Sequence, residues 1–197
     1  MKLRAELVGV SYFALALLGG GLAWWIADGN PLLHPRPFLV LTPWMREVCS
    51  GLAGLLFGAA VVGMTRALVP RIAWARRLHD DLRPVAVGMS TPLILLLALS
   101  SSLGEELFFR AFLVPWIGVI AQAAVFGALH QVRGPSRVWW MLWAGAAGLV
   151  LGAMFQAFGS LTGPILAHAA INAANLAYLR DHDPSARPAD LGGLLRT

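Results

Sequence analysis

Between Arg83 and Arg180 the chain runs through nearly a hundred mostly apolar residues that contain only two carboxylates, Glu105 and Glu106. They are adjacent, and Arg110 follows one helical turn later. An ionised side chain at the centre of a lipid-buried helix costs about 2.5–3.5 kcal/mol. Three of them in Glu105-Glu106-Leu107-Phe108-Phe109-Arg110 therefore demand partners, and the chain must fold so that other polar groups surround this segment. The default reading of such a cluster is a functional site facing the protein interior.

Composition agrees with a membrane setting. Of the 197 residues 58% are hydrophobic and 13% charged, about half the charged fraction of a soluble domain. Several runs reach the roughly 18 apolar residues that mark a membrane-spanning helix. One membrane domain accounts for the length, with no room for a second folded domain. The net charge of +5 rests on 14 Arg and one Lys. These lie between apolar segments rather than in one patch, which points to a GC-rich bacterial genome and away from nucleic acid. A lone Cys49 excludes an intrachain disulfide. The start, Met1-Lys2-Leu3-Arg4 before an apolar stretch, resembles a secretory signal. No small-x-small cleavage site follows Trp24-Trp25-Ile26-Ala27, so it reads as a retained first span.

The expected fold class is all-α, a polytopic transmembrane bundle with about six spans at 7–27, 47–68, 84–112, 117–132, 138–157 and 161–179. Residues 28–46 form a loop rich in Pro and Gly, residues 69–83 a basic connector, and 181–197 a polar tail. The integral membrane domain is thus 1–180, with the motifs described below confined to 85–180. Placing the N-terminus in the cytoplasm puts 12 positive residues on the cytoplasmic side. Arg36, Arg46 and Arg110 are left elsewhere. That asymmetry implies an inner-membrane protein with both termini inside. Trp24, Trp25, Trp139 and Trp140 fall near span ends, as interfacial anchors do.

Glu106 and Arg110 share a helical face and can pair. Glu105 points about 100° away and is left without that partner. Adjacent carboxylates in a poorly hydrated site repel. The expected division of labour is Glu106 neutralised by Arg110 and Glu105 available as a general base. The competing reading is a structural salt bridge that fixes helix packing. His130 has Phe126 one turn earlier on its face; alone it reads as an interfacial residue. Pro115 and Gly118 mark a turn about equally far from Glu105 and His130, so an antiparallel hairpin brings both to one membrane depth. That arrangement leaves the fourth span only about sixteen residues, short of a full crossing. His168 and Asn172 share a face of the last span, continued by Asn175. They can hold helices together by hydrogen bonds or, in a dry site, donate to a developing oxyanion.

Other chemistries leave no trace. The chain lacks a His-Glu-x-x-His zinc signature, a Gly-x-Ser-Gly serine-protease motif and a Walker-type phosphate loop. Ser100, Ser101 and Ser102 read as small polar residues for close helix packing. Gly19-Gly20-Gly21 and the Gly/Ala-rich stretch from Ala144 to Gly152 read the same way.

Taken together, Glu-Glu-x-x-x-Arg at 105–110, Phe-x-x-x-His at 126–130 and His-x-x-x-Asn at 168–172 resemble the motif set of the CPBP intramembrane proteases. These are the CAAX-protease and bacteriocin-processing family. The resemblance covers about residues 85–180 and implies a glutamate-dependent endopeptidase of the bilayer that uses no metal and no cofactor. Carried over by position, Glu105 and His130 would activate a water. His168 and Asn172 would stabilise the oxyanion, and Glu106 and Arg110 would organise the helix. The partner implied is a membrane-associated protein or peptide. It could be a prenylated C-terminus, a bacteriocin precursor or a sorting anchor of the kind cut by the myxosortase subgroup, to which the compact, Arg-rich chain is similar. Two further readings stand beside this one. One is a zinc-dependent protease ligated by Glu105, His130 and His168. The other is a non-catalytic scaffold or bacteriocin self-immunity protein in which the polar cluster only organises the bundle.

Overall fold

The computed structural model describes residues 2–26 and 29–184. The described residues form seven helices: α1 (Lys2–Ile26), α2 (Pro43–Leu68), α3 (Ala73–Ala86), α4 (Thr91–Ile117), α5 (Val119–Leu129), α6 (Arg137–Phe158) and α7 (Thr162–Asp181). The described residues contain no strand, only an isolated bridge between Leu33 and Ser160. By length and composition α2, α4 and α6 can each cross a membrane, while Val10–Ile26 and Val119–Leu129 are shorter apolar helices.

Six helices correspond to the expected spans, with changed ends and one addition. The basic connector is itself largely helical: α3 is amphipathic, turning Ala75, Leu78 and His79 inward while Arg76 and Arg77 face out. Gly88, at φ +82°, separates it from α4, so the third span starts at Thr91 rather than at 84. The fourth span is shorter than expected. At 11 residues, α5 rises only about 16 Å against a hydrocarbon core about 30 Å thick, and so is too short to cross it. Helix α7 continues to Asp181, and residues 185–197 of the expected tail lie outside the described residues.

Apolar side chains gain little by leaving lipid for one another, so close backbone approach holds such a bundle together. Gly54 of α2 and Gly163 of α7 meet backbone to backbone, and a Cβ on either would collide with the other helix. Along the same pair, Ser50 Oγ accepts from the Gly163 amide at 3.0 Å, and Arg66 Nη2 donates to the Ala174 carbonyl at 2.7 Å. These two helices therefore run parallel. Helix α4 runs antiparallel to α7 and parallel to α1, with Gly104 against the Tyr12 carbonyl and Phe108 against Gly19. At the opposite end from α3, the loop before α2 is tied to the α6–α7 junction. His34 N donates to the Gly159 carbonyl (3.1 Å) and Phe38 N to that of Gln156 (2.9 Å).

The main packed cluster lies in that half of the bundle, where Phe109, Phe112, Leu113, Phe126, Phe155 and Leu161 meet. The other half is hollow. A cavity of about 1170 Å³ runs from α3 into the centre, and α1, α2, α3, α4, α6 and α7 all contribute to its wall. The basic residues gather at this hollow end. Trp139 stacks on Trp74 at 4.8 Å, which brings the Arg133–Arg137 segment beside α3, and Arg180 reaches back to Thr91 at 3.0 Å.

Candidate active site

At the boundary between packed core and cavity, α4 changes its winding. Residues Glu106–Leu113 are π-helical, an arrangement that widens the turn and recurs at functional sites. Glu105, the last residue before it, lines the cavity, whereas Glu106 and Arg110 are completely buried behind it. The pair is joined at 2.9 Å between Arg110 Nη1 and Glu106 Oε1, and the guanidinium carbon lies 4.2 Å from the centre of the Phe126 ring. The two carboxylates thus have different surroundings, as the helical geometry predicts. One is fixed in an apolar wall and one faces open space.

The turn at Gly118, with φ +83°, sends α5 back along α4. Helix α5 stops at Leu129, and His130 caps it at the depth of Glu105. Its Nδ1 lies 2.7 Å from the Phe126 carbonyl. A carbonyl can only accept, so Nδ1 carries the hydrogen and, in the neutral ring, the lone pair sits on Nε2. Nε2 faces Glu105 Oε2 at 3.9 Å.

His168 enters from α7. Its Nδ1 lies 2.7 Å from Glu106 Oε1, the oxygen that also accepts from Arg110, and its Nε2 lies 3.8 Å from Glu105 Oε2. A carboxylate held on one imidazole nitrogen fixes the ring and directs the other nitrogen outward. One turn on, Asn172 Nδ2 donates to Ser101 Oγ at 3.0 Å, and its second N–H remains for another acceptor. Asn175, the continuation of this face, instead accepts from Arg66 at 3.3 Å.

The structure therefore brings all six sequence-selected side chains together. Glu105, His130, His168 and Asn172 line one cavity, and Glu106 with Arg110 supports them from behind. Glu105 Oε2 has no direct hydrogen-bond partner. Its separations from the two Nε2 atoms exceed a hydrogen bond yet suit a single water bonded to all three at about 2.8 Å. Among the described residues no group of three or more His, Cys, Asp or Glu side chains has the arrangement of a metal site.

Three participants escaped the sequence. Tyr12 of α1 lines the cavity with Glu105, its backbone packed on the neighbouring Gly104. Its only signal is a phenol inside an apolar run, and α1 carries no motif. Ser101, read as a packing residue, is also the acceptor that holds Asn172. Trp140, read as an interfacial anchor, lines the cavity with its ring centre 5.7 Å from that of His130.

Residues 87–174 match the family model described as type II CAAX prenyl endopeptidase Rce1-like. The matched segment contains all six of these side chains and stops short of α1, α2 and α3. No curated protein and no solved structure matches the chain.

Proposed function

We infer that this chain, whose residues 87–174 match the Rce1-like model of type II CAAX prenyl endopeptidases, is an intramembrane endopeptidase in which Glu105 activates the attacking water. The observation that carries this reading is the convergence of Glu105 Oε2 with the Nε2 atoms of His130 and His168, at 3.9 and 3.8 Å, on the wall of one cavity. A water held among them lies in reach of a base and beside the space a peptide can occupy.

In the proposed reaction Glu105, assisted by the lone pair on His130 Nε2, takes a proton as the water oxygen bonds to the scissile carbonyl carbon. The resulting oxyanion is met by Asn172 Nδ2 and by His168. Because Glu106 holds the Nδ1 hydrogen of His168, its Nε2 donates when the ring is protonated. Collapse of the tetrahedral adduct breaks the C–N bond, and the proton held by Glu105 passes to the departing amine. Glu106 and Arg110 take no proton; their pair fixes the geometry of α4 and His168.

Within this reading the catalytic domain is 1–180, and the α3 end, where the Arg residues gather, faces the cytoplasm of a bacterial inner membrane. The substrate is a membrane-associated protein cut near a terminus. Terminal proteomics of cells lacking the chain, complemented with the wild-type or Glu105→Gln form, tests the function. It also distinguishes a prenylated C-terminus, a bacteriocin precursor and a sorting anchor. The expectation is a membrane protein that keeps an uncut terminus in the deletion strain and with Glu105→Gln, and loses it with the wild type. Restoration by Glu105→Gln would leave the cluster as a packing device.

A further inference from the structure

The family match begins at residue 87, yet the cavity that holds Glu105 has a wall contributed by α1. Tyr12 is one of only two tyrosines in the chain. It sits within the apolar run of α1, where a phenol needs a hydrogen-bond partner. Its backbone is pressed onto α4 next to the acid: a Cβ on Gly104 would stand 2.7 Å from the Tyr12 carbonyl oxygen. Only glycine at 104 permits this approach, and it sets the Tyr12 ring beside the next residue, Glu105. The phenol and the Glu105 side chain border the same cavity.

Glu105 needs such a contact. Its outward oxygen, Oε2, has no direct partner, and the histidines nearest to it stand 3.8 and 3.9 Å away. A glutamate bordering an open cavity has several side-chain rotamers, and most would carry Oε2 away from His130 and His168. Glu106 and Arg110 do not hold it: their hydrogen bonds run to each other and to His168, and neither bonds to Glu105.

We propose that Tyr12 is a positioning residue, its hydroxyl donating to the Glu105 carboxylate so that Oε2 stays directed at the water shared with His130 and His168. Helix α1 is then part of the catalytic apparatus, although it lies outside the segment that matches the family model. The contribution to catalysis rests on the reading of Glu105 as the general base; the hydrogen bond itself does not.

Two measurements on the full-length protein in lipid nanodiscs and in cells test this. Infrared difference spectra between wild type and Glu105→Gln, recorded at a pH low enough to protonate Glu105, isolate its carbonyl band. Tyr12→Phe, which keeps the ring and removes only the hydroxyl, should move that band to higher wavenumber, because the carbonyl loses a donor. A purely structural tyrosine would leave the band in place, and an unmoved band overturns the proposal. In complemented deletion cells Tyr12→Phe should slow terminus removal about tenfold to a hundredfold, the scale of a misplaced catalytic group, with wild-type protein levels. Processing at the wild-type rate together with a shifted band would remove the positioning role. Normal processing by Glu105→Gln would instead overturn the proposed function, and the infrared result would still decide whether Tyr12 holds Glu105.

Discussion

Arg110 illustrates how one residue fixes the character of this site. Its guanidinium is fully buried, paired with Glu106 and packed on Phe126, while Nε and Nη2 have no hydrogen-bond partner. A buried pair is often no better than a well-packed apolar substitute, but removing one partner leaves an uncompensated charge and costs about 3–5 kcal/mol. Arg110→Met should therefore destabilise the protein by about that amount in a denaturation series in detergent, whereas the double substitution Arg110→Met with Glu106→Gln should recover much of the loss. Additive losses would show that the two side chains do not depend on each other. The separation of Glu105 from Glu106 was legible in the sequence from the helical angle alone. The π-helical winding of 106–113 was not, since nothing in Leu107-Phe108-Phe109 distinguishes it from ordinary helix; α1 pressing at Gly19 onto Phe108 is a tertiary contact.

At the level of elements, the parallel contact of α2 with α7 carries His168 and Asn172 to their depth. Gly54→Ala should force these backbones apart and cost about 1–3 kcal/mol, as overpacking does, with a lowered melting temperature as the readout. An unchanged melting temperature would mean that the helices do not meet at Gly54. Helix α3 closes the hollow end by docking His79 against α7, with Nε2 2.9 Å from the His182 carbonyl and the Tyr178 and His182 rings 5.0 and 5.6 Å away. Burial pushes the His79 imidazole below its ordinary value, outweighing the His182 carbonyl and Asp80, which favour protonation; Arg83 acts with burial. The fold thus favours neutral His79. Its contribution is complete above about pH 6.5, the unfolded value, and is lost as pH falls through the lower native value. Protection of 73–86 against hydrogen exchange, relative to the intrinsic rate at each pH, should fall on acidification below about pH 6, and His79→Phe should flatten that response. A loss of protection that persists in His79→Phe would assign it to another group. The connector could not be recognised as this helix from its charge. Its apolar residues, Trp74, Leu78, Leu82 and Val85, recur at helical spacing among arginines, and that spacing was the available signal.

For the molecule as a whole, a bundle packed at one end and hollow at the other places Glu105, His130, His168 and Asn172 where the two halves meet. The cavity opens toward the end where Arg66, Arg76, Arg77, Arg83, Arg133 and Arg180 collect. The six apolar segments and their order could be read from hydropathy and Arg placement. The 11-residue length of α5 was only partly legible, because Gln131 to Ser136 carries no strong stop signal other than Gly134 and Pro135. The three motifs located the acid, the imidazoles and the amide; they said nothing of Tyr12, which the bundle supplies from outside the motif-bearing segment. The most direct measurement is cleavage of the substrate found by terminal proteomics, using wild-type and Glu105→Gln protein purified in nanodiscs, each with and without a strong chelator. The account predicts that the wild type cuts equally well in both conditions and that Glu105→Gln loses at least about a hundredfold in rate, within the range for a missing general base. Cleavage by Glu105→Gln at the wild-type rate would contradict it, and a wild type silenced by the chelator would transfer the activation of water to a metal.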